Sequence, residues 1–305
     1  MSRKRKDRRS VHGIVLLDKP LGLSSNQALQ KVKYLFNAAK AGHTGSLDPL
    51  ASGLLPLCLG EATKVSSYLL DSDKYYETIA QLGARSTTGD AEGEKFDRRP
   101  VPELSDAEIE AVLERFRGDI DQVPPMYSAL KKDGRRLYEL ARQGKEVARE
   151  PRRITIFKLE LTGREQGRLK LSVGCSKGTY IRSLVEDIGE ALGCGAYVDY
   201  LRRTGVSPYL NPRMWTLEEL ETLAEQGFDA LDTCLTPIDA ALSHIPAIHL
   251  DEDRAKKLTM GQVVQTDDLP NGELFRLYQG EDRFLGLGKP TEDGQIAPKR
   301  LLLHG

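Results

Sequence analysis

The sequence predicts an α+β fold built on a mixed or antiparallel sheet, interrupted by a basic inserted arm and followed by a small β-barrel-like module. Three observations carry this. Segments with period-2 apolar alternation and segments with helical spacing follow one another without the regular βαβα order of a doubly wound sheet. A polar, basic stretch opens at Pro124-Pro125 and closes at Pro151, as an insertion into a folded domain does. After Ile245-Pro246 the pattern becomes short strand-like runs separated by Gly, Asp and Pro. The expected organisation is a flexible basic arm over residues 1–10, a main domain over 11–245 with its insertion at about 124–152, and a small module over 246–305.

Taken in order, residues 13–17 read as a short buried strand. Ser24 with Gln27 forms a capping box for a helix whose inward face is Ala28, Leu29, Val32, Leu35 and Phe36. Gly42 to Pro49 reads as a loop: Gly42 and Gly45 permit backbone angles closed to other residues, and Pro49 holds Asp48 away from helical geometry. A second helix is expected over 61–70, then a strand over 74–82 that sends Tyr75 and Tyr76 to opposite faces. Ser105 with Glu108 opens another helix. Within the insertion, Leu137 to Leu140 suits one short helix. Residues 154–161 and 168–175 alternate as a hairpin, with one slip at Phe157. A helix over 180–192 and a strand over 196–204 complete the main domain, and the last module holds strands at 262–265, 273–279, 283–288 and 299–303.

Net charge is only −1, but the signs are segregated. Residues 217–253 carry ten acidic side chains and no Lys or Arg, whereas 1–10 carry six basic against one acidic and 126–153 nine basic against four. Such segments serve either as solvated faces or as defined contacts to a polyanion. Cys58, Cys175, Cys194 and Cys234 show no C-x-x-C pairing, which points away from a disulfide framework or zinc site and toward the reducing cytosol. The apolar runs are far shorter than the roughly 20 residues of a membrane helix, so no membrane association is expected.

The five histidines lack metal-site spacing, so no metal is expected. Gly286 to Lys289 fails the phosphate-loop pattern, and no G-x-S-x-G elbow accompanies Ser46 or Ser176. A carboxylate glycosidase would need a second placed acid, for which Asp90 is the one nearby polar-loop residue. What remains is Asp48, together with arginines and tyrosines. By itself, Asp48 reads as a turn residue or as a presented carboxylate.

The stretch Gly42-His43-Thr44-Gly45-Ser46-Leu47-Asp48-Pro49-Leu50-Ala51-Ser52-Gly53-Leu54-Leu55-Pro56 resembles the signature loop of the bacterial tRNA pseudouridine-55 synthases of TruB type. Further motifs match in the same order: Leu17-Asp18-Lys19-Pro20, Gly60 to Lys64, Leu70 to Lys74, Pro125 to Lys131, Cys175 to Arg182, and Tyr200-Leu201-Arg202-Arg203. The final module resembles the small PUA RNA-binding fold. The resemblance implies isomerisation of uridine 55 in the tRNA T arm to pseudouridine, with the base flipped out of its stack and no cofactor. It implies Asp48 as the essential carboxylate, Arg182 as its ion-pair partner keeping it charged, and Tyr76 packed against the target base. Tyr180 and Leu201 would line the uracil pocket, and His43 would contact the RNA. The insertion would be a thumb closing on the T arm through Lys131, Lys132, Arg135, Arg136 and Arg142. Two other readings share parts of this pattern: a guide-RNA-dependent pseudouridine synthase, and a non-catalytic protein that binds or folds tRNA. With no exposed apolar stripe in the pattern, a monomer is expected.

Overall fold

The computed structural model describes residues 8–132, 134–266, 269 and 271–302. Residues 1–7 of the basic arm lie outside the described residues.

The chain begins with β1 (Gly13–Lys19) and α1 (Ser25–Leu35), whose Ser24–Gln27 capping box forms as the sequence indicates. Next come β2 (Ala41–His43) and β3 (Ala51–Leu59). A 3₁₀ turn over Gly60–Lys64 and α2 (Ser66–Leu70) replace the single helix expected at 61–70, because the backbone leaves helical geometry at Val65 (φ −109°, ψ 3°). They lead into β4 (Lys74–Leu82), the small hairpin β5 (Arg85–Ser86) and β6 (Lys95–Phe96), and α3 (Asp106–Glu114). β7 (Gly118–Gln122) precedes the insertion, which holds a hairpin of β8 (Lys131–Lys132) and β9 (Arg135–Arg136) followed by α4 (Leu137–Ala141).

The long hairpin β10 (Arg152–Glu165) and β11 (Arg168–Cys175) follows, then α5 (Ile181–Ala191), β12 (Ala196–Val206), β13 (Tyr209–Leu210), α6 (Leu217–Gln226) and α7 (Phe228–Asp232). The slip at Phe157 is a bulge: the β10–β11 register shifts between Ile156 and Lys158, leaving Phe157 exposed to meet Tyr75 edge-on. The last segment is not purely β. It comprises β14 (Ala247–Leu250), α8 (Glu252–Thr259), β15 (Phe275–Gln279), β16 (Arg283–Pro290) and β17 (Ile296–Leu301). The run expected at 262–265 makes a single bridge, Val264 to Ile296.

The main sheet runs β1-β3-β12-β4-β11-β10-β7, with β2 against β3 and β13 against β12. It is mixed, because β3 and β12 pair in parallel while the other neighbours are antiparallel. Along one face, Val15, Leu17, Leu55, Leu57, Tyr76, Leu171 and Val173 pack with residues of α1, α3, α5 and α6. On the opposite face, Ile14, Leu16, Leu54 and Cys58 join Tyr278, Phe284, Leu287 and Leu302 of the C-terminal segment in one apolar cluster. Covering on both sides explains why β3 reads as an unbroken apolar run rather than an alternating one. The sequence reading assigned no strand to this run, whose first six residues belong to the 42–56 stretch matched as a signature loop. Tyr278 also donates to Asp239 Oδ2 at 2.7 Å, and Lys64 Nζ to Leu301 O at 2.9 Å.

Candidate active site

The loop between β2 and β3 is held at nearly every residue. Thr44 N–H donates to Pro56 O at 3.2 Å, Arg203 Nη2 to Gly45 O at 3.3 Å, and Leu47 N–H to Ser25 Oγ at 2.7 Å. Asp48 O accepts from Ala51 N–H at 3.0 Å, and Pro49 O from Gly22 N–H at 2.8 Å. The loop is therefore fixed in advance of any ligand. Gly45 takes φ +93°, but Gly42 does not adopt a left-handed angle; it lies in β2, paired with Cys58. A different glycine is decisive. Gly53 has φ +97°, and a Cβ there would stand 2.2 Å from Arg203 O, so only glycine lets β3 approach β12 beside Leu201.

Asp48 Oδ2 lies 2.9 Å from Arg182 Nη2. Arg182 projects from the first turn of α5 and is 5% exposed, against 41% for the Asp48 side chain. Its guanidinium also donates to Thr88 O at 2.9 Å and Tyr127 O at 2.7 Å, and stands 4.0 Å from Asp90 Oδ2. Asp90 is thus no second presented acid. It is 4% exposed, turned toward Arg182 and bonded by Glu92 N–H and Thr88 Oγ1. The Asp48 pKa is pushed above its ordinary value by desolvation; Arg182 is the largest opposing influence, Asp90 adds to the rise, and Lys19 opposes it. The ion pair expected from the sequence forms, but it offsets only part of the cost of confining the charge.

Tyr76 lies on β4 directly across from Arg203 of β12 and Val173 of β11. It is 9% exposed; burial raises the phenol pKa while Arg203, through charge and a hydrogen bond, opposes the rise. Tyr75 points away to Phe157, as alternation requires. Leu201 is buried on β12, opposite Ala51 of β3 and Thr78 of β4. Tyr180 precedes α5 by one residue, in extended geometry. His43 is half-buried on β2 with Nδ1 buried and lacking a hydrogen-bond partner, and desolvation and Arg203 lower its pKa. Lys131, Lys132, Arg135, Arg136 and Arg142 are all exposed on the insertion. Arg136 and Arg142 lie 5.9 and 5.5 Å from the Tyr138 ring centroid.

Several supporting residues were given no role in the sequence reading. Lys19, fully buried, donates from Nζ to Pro20 O and Leu23 O at 2.8 and 2.6 Å, and desolvation lowers its pKa to about 8. Arg203, 1% exposed, donates to Leu54 O at 2.7 Å. Gln122 clasps the Tyr180 backbone. Lys19 and Arg203 lie within the matched motifs and Gln122 three residues before one of them, and nothing else in the sequence signals them. Among the described residues, no cluster of His, Cys, Asp or Glu suits a metal, and no helix is long and apolar enough to cross a membrane.

The site is thus an aspartate on a rigid loop beside a mixed sheet, ion-paired to a buried arginine of α5 whose guanidinium also reaches Tyr127 O of the basic insertion. The chain belongs to the TruB family of pseudouridylate synthases. Residues 33–181 match the family's N-terminal domain, 182–243 the tRNA pseudouridylate synthase B C-terminal domain, and 246–302 the C-terminal domain of pseudouridine synthase II TruB. The chain is 56% identical over 306 residues to tRNA pseudouridine synthase B of Ectopseudomonas mendocina, covering 100% of both chains. It is 57% identical over 303 residues to the protein of that name from Pseudomonas fluorescens Pf0-1, covering 99% of each. Among solved structures, a chain of a Cbf5-Nop10-Gar1 complex matches with TM-score 0.73 and 26% identity, over 96% of this chain and 84% of that one. A chain of an H/ACA RNP bound to a substrate RNA containing 2′-deoxyuridine matches with TM-score 0.73 and 25% identity, over 96% and 85%. The fold is accordingly the pseudouridine synthase α+β fold with a PUA-like C-terminal domain.

Proposed function

We propose that this protein isomerises uridine 55 in the T arm of tRNA to pseudouridine, acting alone in the cytosol as a monomer without metal or cofactor. The observation that carries the reading is the 2.9 Å contact between Asp48 and the buried Arg182 in a loop fixed by its own hydrogen bonds. Full-length identity to proteins named tRNA pseudouridine synthase B supports the choice of substrate.

In this reading Asp48 acts as a carboxylate, whether toward ribose or base, because each route requires its ionised form. Arg182 holds that charge and its direction. Tyr76 packs against the target base, and burial raises the pKa of its phenol above the ordinary value. Base–aromatic stacking of about 1–3 kcal/mol offsets part of the few kcal/mol that flipping a base costs. Tyr180 and Leu201 shape the uracil pocket, and the half-buried His43 contacts the RNA. Lys131, Lys132, Arg135, Arg136 and Arg142 hold phosphates of the T arm, positioning it without reading its sequence. Residues 11–245 form the catalytic unit, and 246–305 add a second RNA contact.

The basic insertion and the whole-chain identity favour stand-alone action over guide-RNA dependence. Tritium release from labelled tRNA transcript distinguishes an enzyme from a binder. Asp48→Asn should bind the transcript and release no tritium; release at the wild-type rate would refute the role of Asp48.

A further inference from the structure

Three links join the root of the insertion to the start of α5. Gln122, the last residue of β7 and 2% exposed, accepts from Tyr180 N–H through Oε1 at 2.8 Å and donates to Tyr180 O through Nε2 at 3.1 Å. Ser183 Oγ donates to Val123 O at 3.2 Å. Arg182 Nη2 divides itself between Tyr127 O and Asp48 Oδ2. Tyr180 is the N-cap of α5: its C=O accepts from Leu184 N–H at 3.1 Å, and no side chain of its own segment caps the helix. The Tyr180 N–H is therefore satisfied by Gln122 Oε1, while Nε2 adds a second donor to a carbonyl the helix already engages. A neutral amide of this length at a buried position supplies the acceptor that Tyr180 N–H needs and a further donor beside it. Arg182 lies two residues beyond Tyr180, in the first turn of α5. A shift of Tyr180 is therefore carried directly to the guanidinium.

We propose that Gln122 is a positioning residue of this site: its amide fixes the Tyr180 backbone and so aims Arg182 at Asp48. The inference rests on the functional reading of Asp48 and Arg182 given above. It also gives the insertion a mechanical connection to the carboxylate, since Gln122, Val123 and Tyr127 all lie at the insertion's root.

Gln122→Met keeps the side-chain length and removes both hydrogen bonds, whereas Gln122→Glu keeps the acceptor for Tyr180 N–H. Each variant is measured for single-turnover pseudouridine formation at saturating enzyme, and for equilibrium affinity to the same tRNA transcript by filter binding. The methionine variant should lose about 10- to 100-fold in single-turnover rate, as misplacement of a reacting group does. Affinity should stay within about threefold, because the phosphate-binding charges are untouched. The glutamate variant should fall between it and wild type. An unchanged rate, or a rate lost only through weaker binding and restored at saturation, overturns the proposal. Should the methionine variant not fold, the glutamate variant decides by the same two criteria. Wild-type protein that forms no pseudouridine would refute the functional reading itself, and this inference with it.

Discussion

Replacing Arg182 by lysine isolates what the guanidinium does, because charge is retained while the planar fork is lost. Three oxygens, Asp48 Oδ2, Thr88 O and Tyr127 O, lie within 2.9 Å of its two terminal nitrogens, and the residue is 5% exposed. A single ammonium on a shorter stem cannot reproduce that geometry. Losing one charge-assisted bond costs about 1.5–3 kcal/mol, which at about 2–4 °C per kcal/mol lowers the melting temperature by several degrees. The rate should fall about 10- to 100-fold at saturating enzyme, the usual consequence of a misdirected carboxylate. The pH profile gives a separate readout. Desolvation already raises the Asp48 pKa, with Arg182 opposing it, and the reaction needs the ionised form. The rate therefore falls as pH drops through that raised pKa. Weakening the bond from residue 182 should move this acid limb to higher pH. Single-turnover tritium release across pH measures both effects. A lysine variant with the wild-type rate and an unmoved acid limb would refute the assignment of Arg182.

Tyr76→Phe keeps the ring among its neighbours while removing the hydroxyl engaged with Arg203, so tRNA affinity should hold and the single-turnover rate should drop; equal rates would leave the phenol without a role. Reversing Lys131, Arg135 and Arg136 to glutamate should weaken binding and flatten the dependence of log affinity on log salt by about 2–3 units, from the release of about 0.9 counterion per phosphate contact. An unaltered slope in filter binding would remove the arm from the RNA interface. Truncation after Ile245 strips the shared cluster of Tyr278, Phe284, Leu287 and Leu302. At about 1.5–3 kcal/mol each, this rivals a typical total stability of about 5–15 kcal/mol. The shortened chain should lose its cooperative thermal transition; a melt equal to that of the full chain would show that the cluster contributes nothing.

Local patterns made much of the fold legible. Alternation at Leu169, Leu171, Val173 and Cys175 matches β11, and the capping boxes at Ser24 and Ser105 form as read. The slip at Phe157 was visible as a broken period and is a bulge. Other elements were hidden for physical reasons. β3 is covered on both faces, so it lacks the alternation that marks a strand with one open side. β14 and α8 are short, and only the Asp251 cap announces the latter. At the site, the Gly- and Pro-flanked loop marked Asp48 as a candidate, but Arg182 was legible only through motif resemblance, since the two meet through tertiary packing far apart in sequence. Gln122 and Lys19 were opaque in a different way: their hydrogen bonds go to backbone carbonyl and amide groups, which every residue carries. The resemblance also implied that Arg182 keeps Asp48 charged despite burial; desolvation is the larger influence on its pKa, with Arg182 the largest opposing one.

The most direct test is to incubate the protein alone with an unmodified tRNA transcript and locate the pseudouridine by reverse-transcription mapping, beside Asp48→Asn under the same conditions. The account predicts one pseudouridine, at position 55, with the wild-type protein and none with the variant. Modification elsewhere, a need for an added guide RNA, or an unchanged product from Asp48→Asn would contradict it.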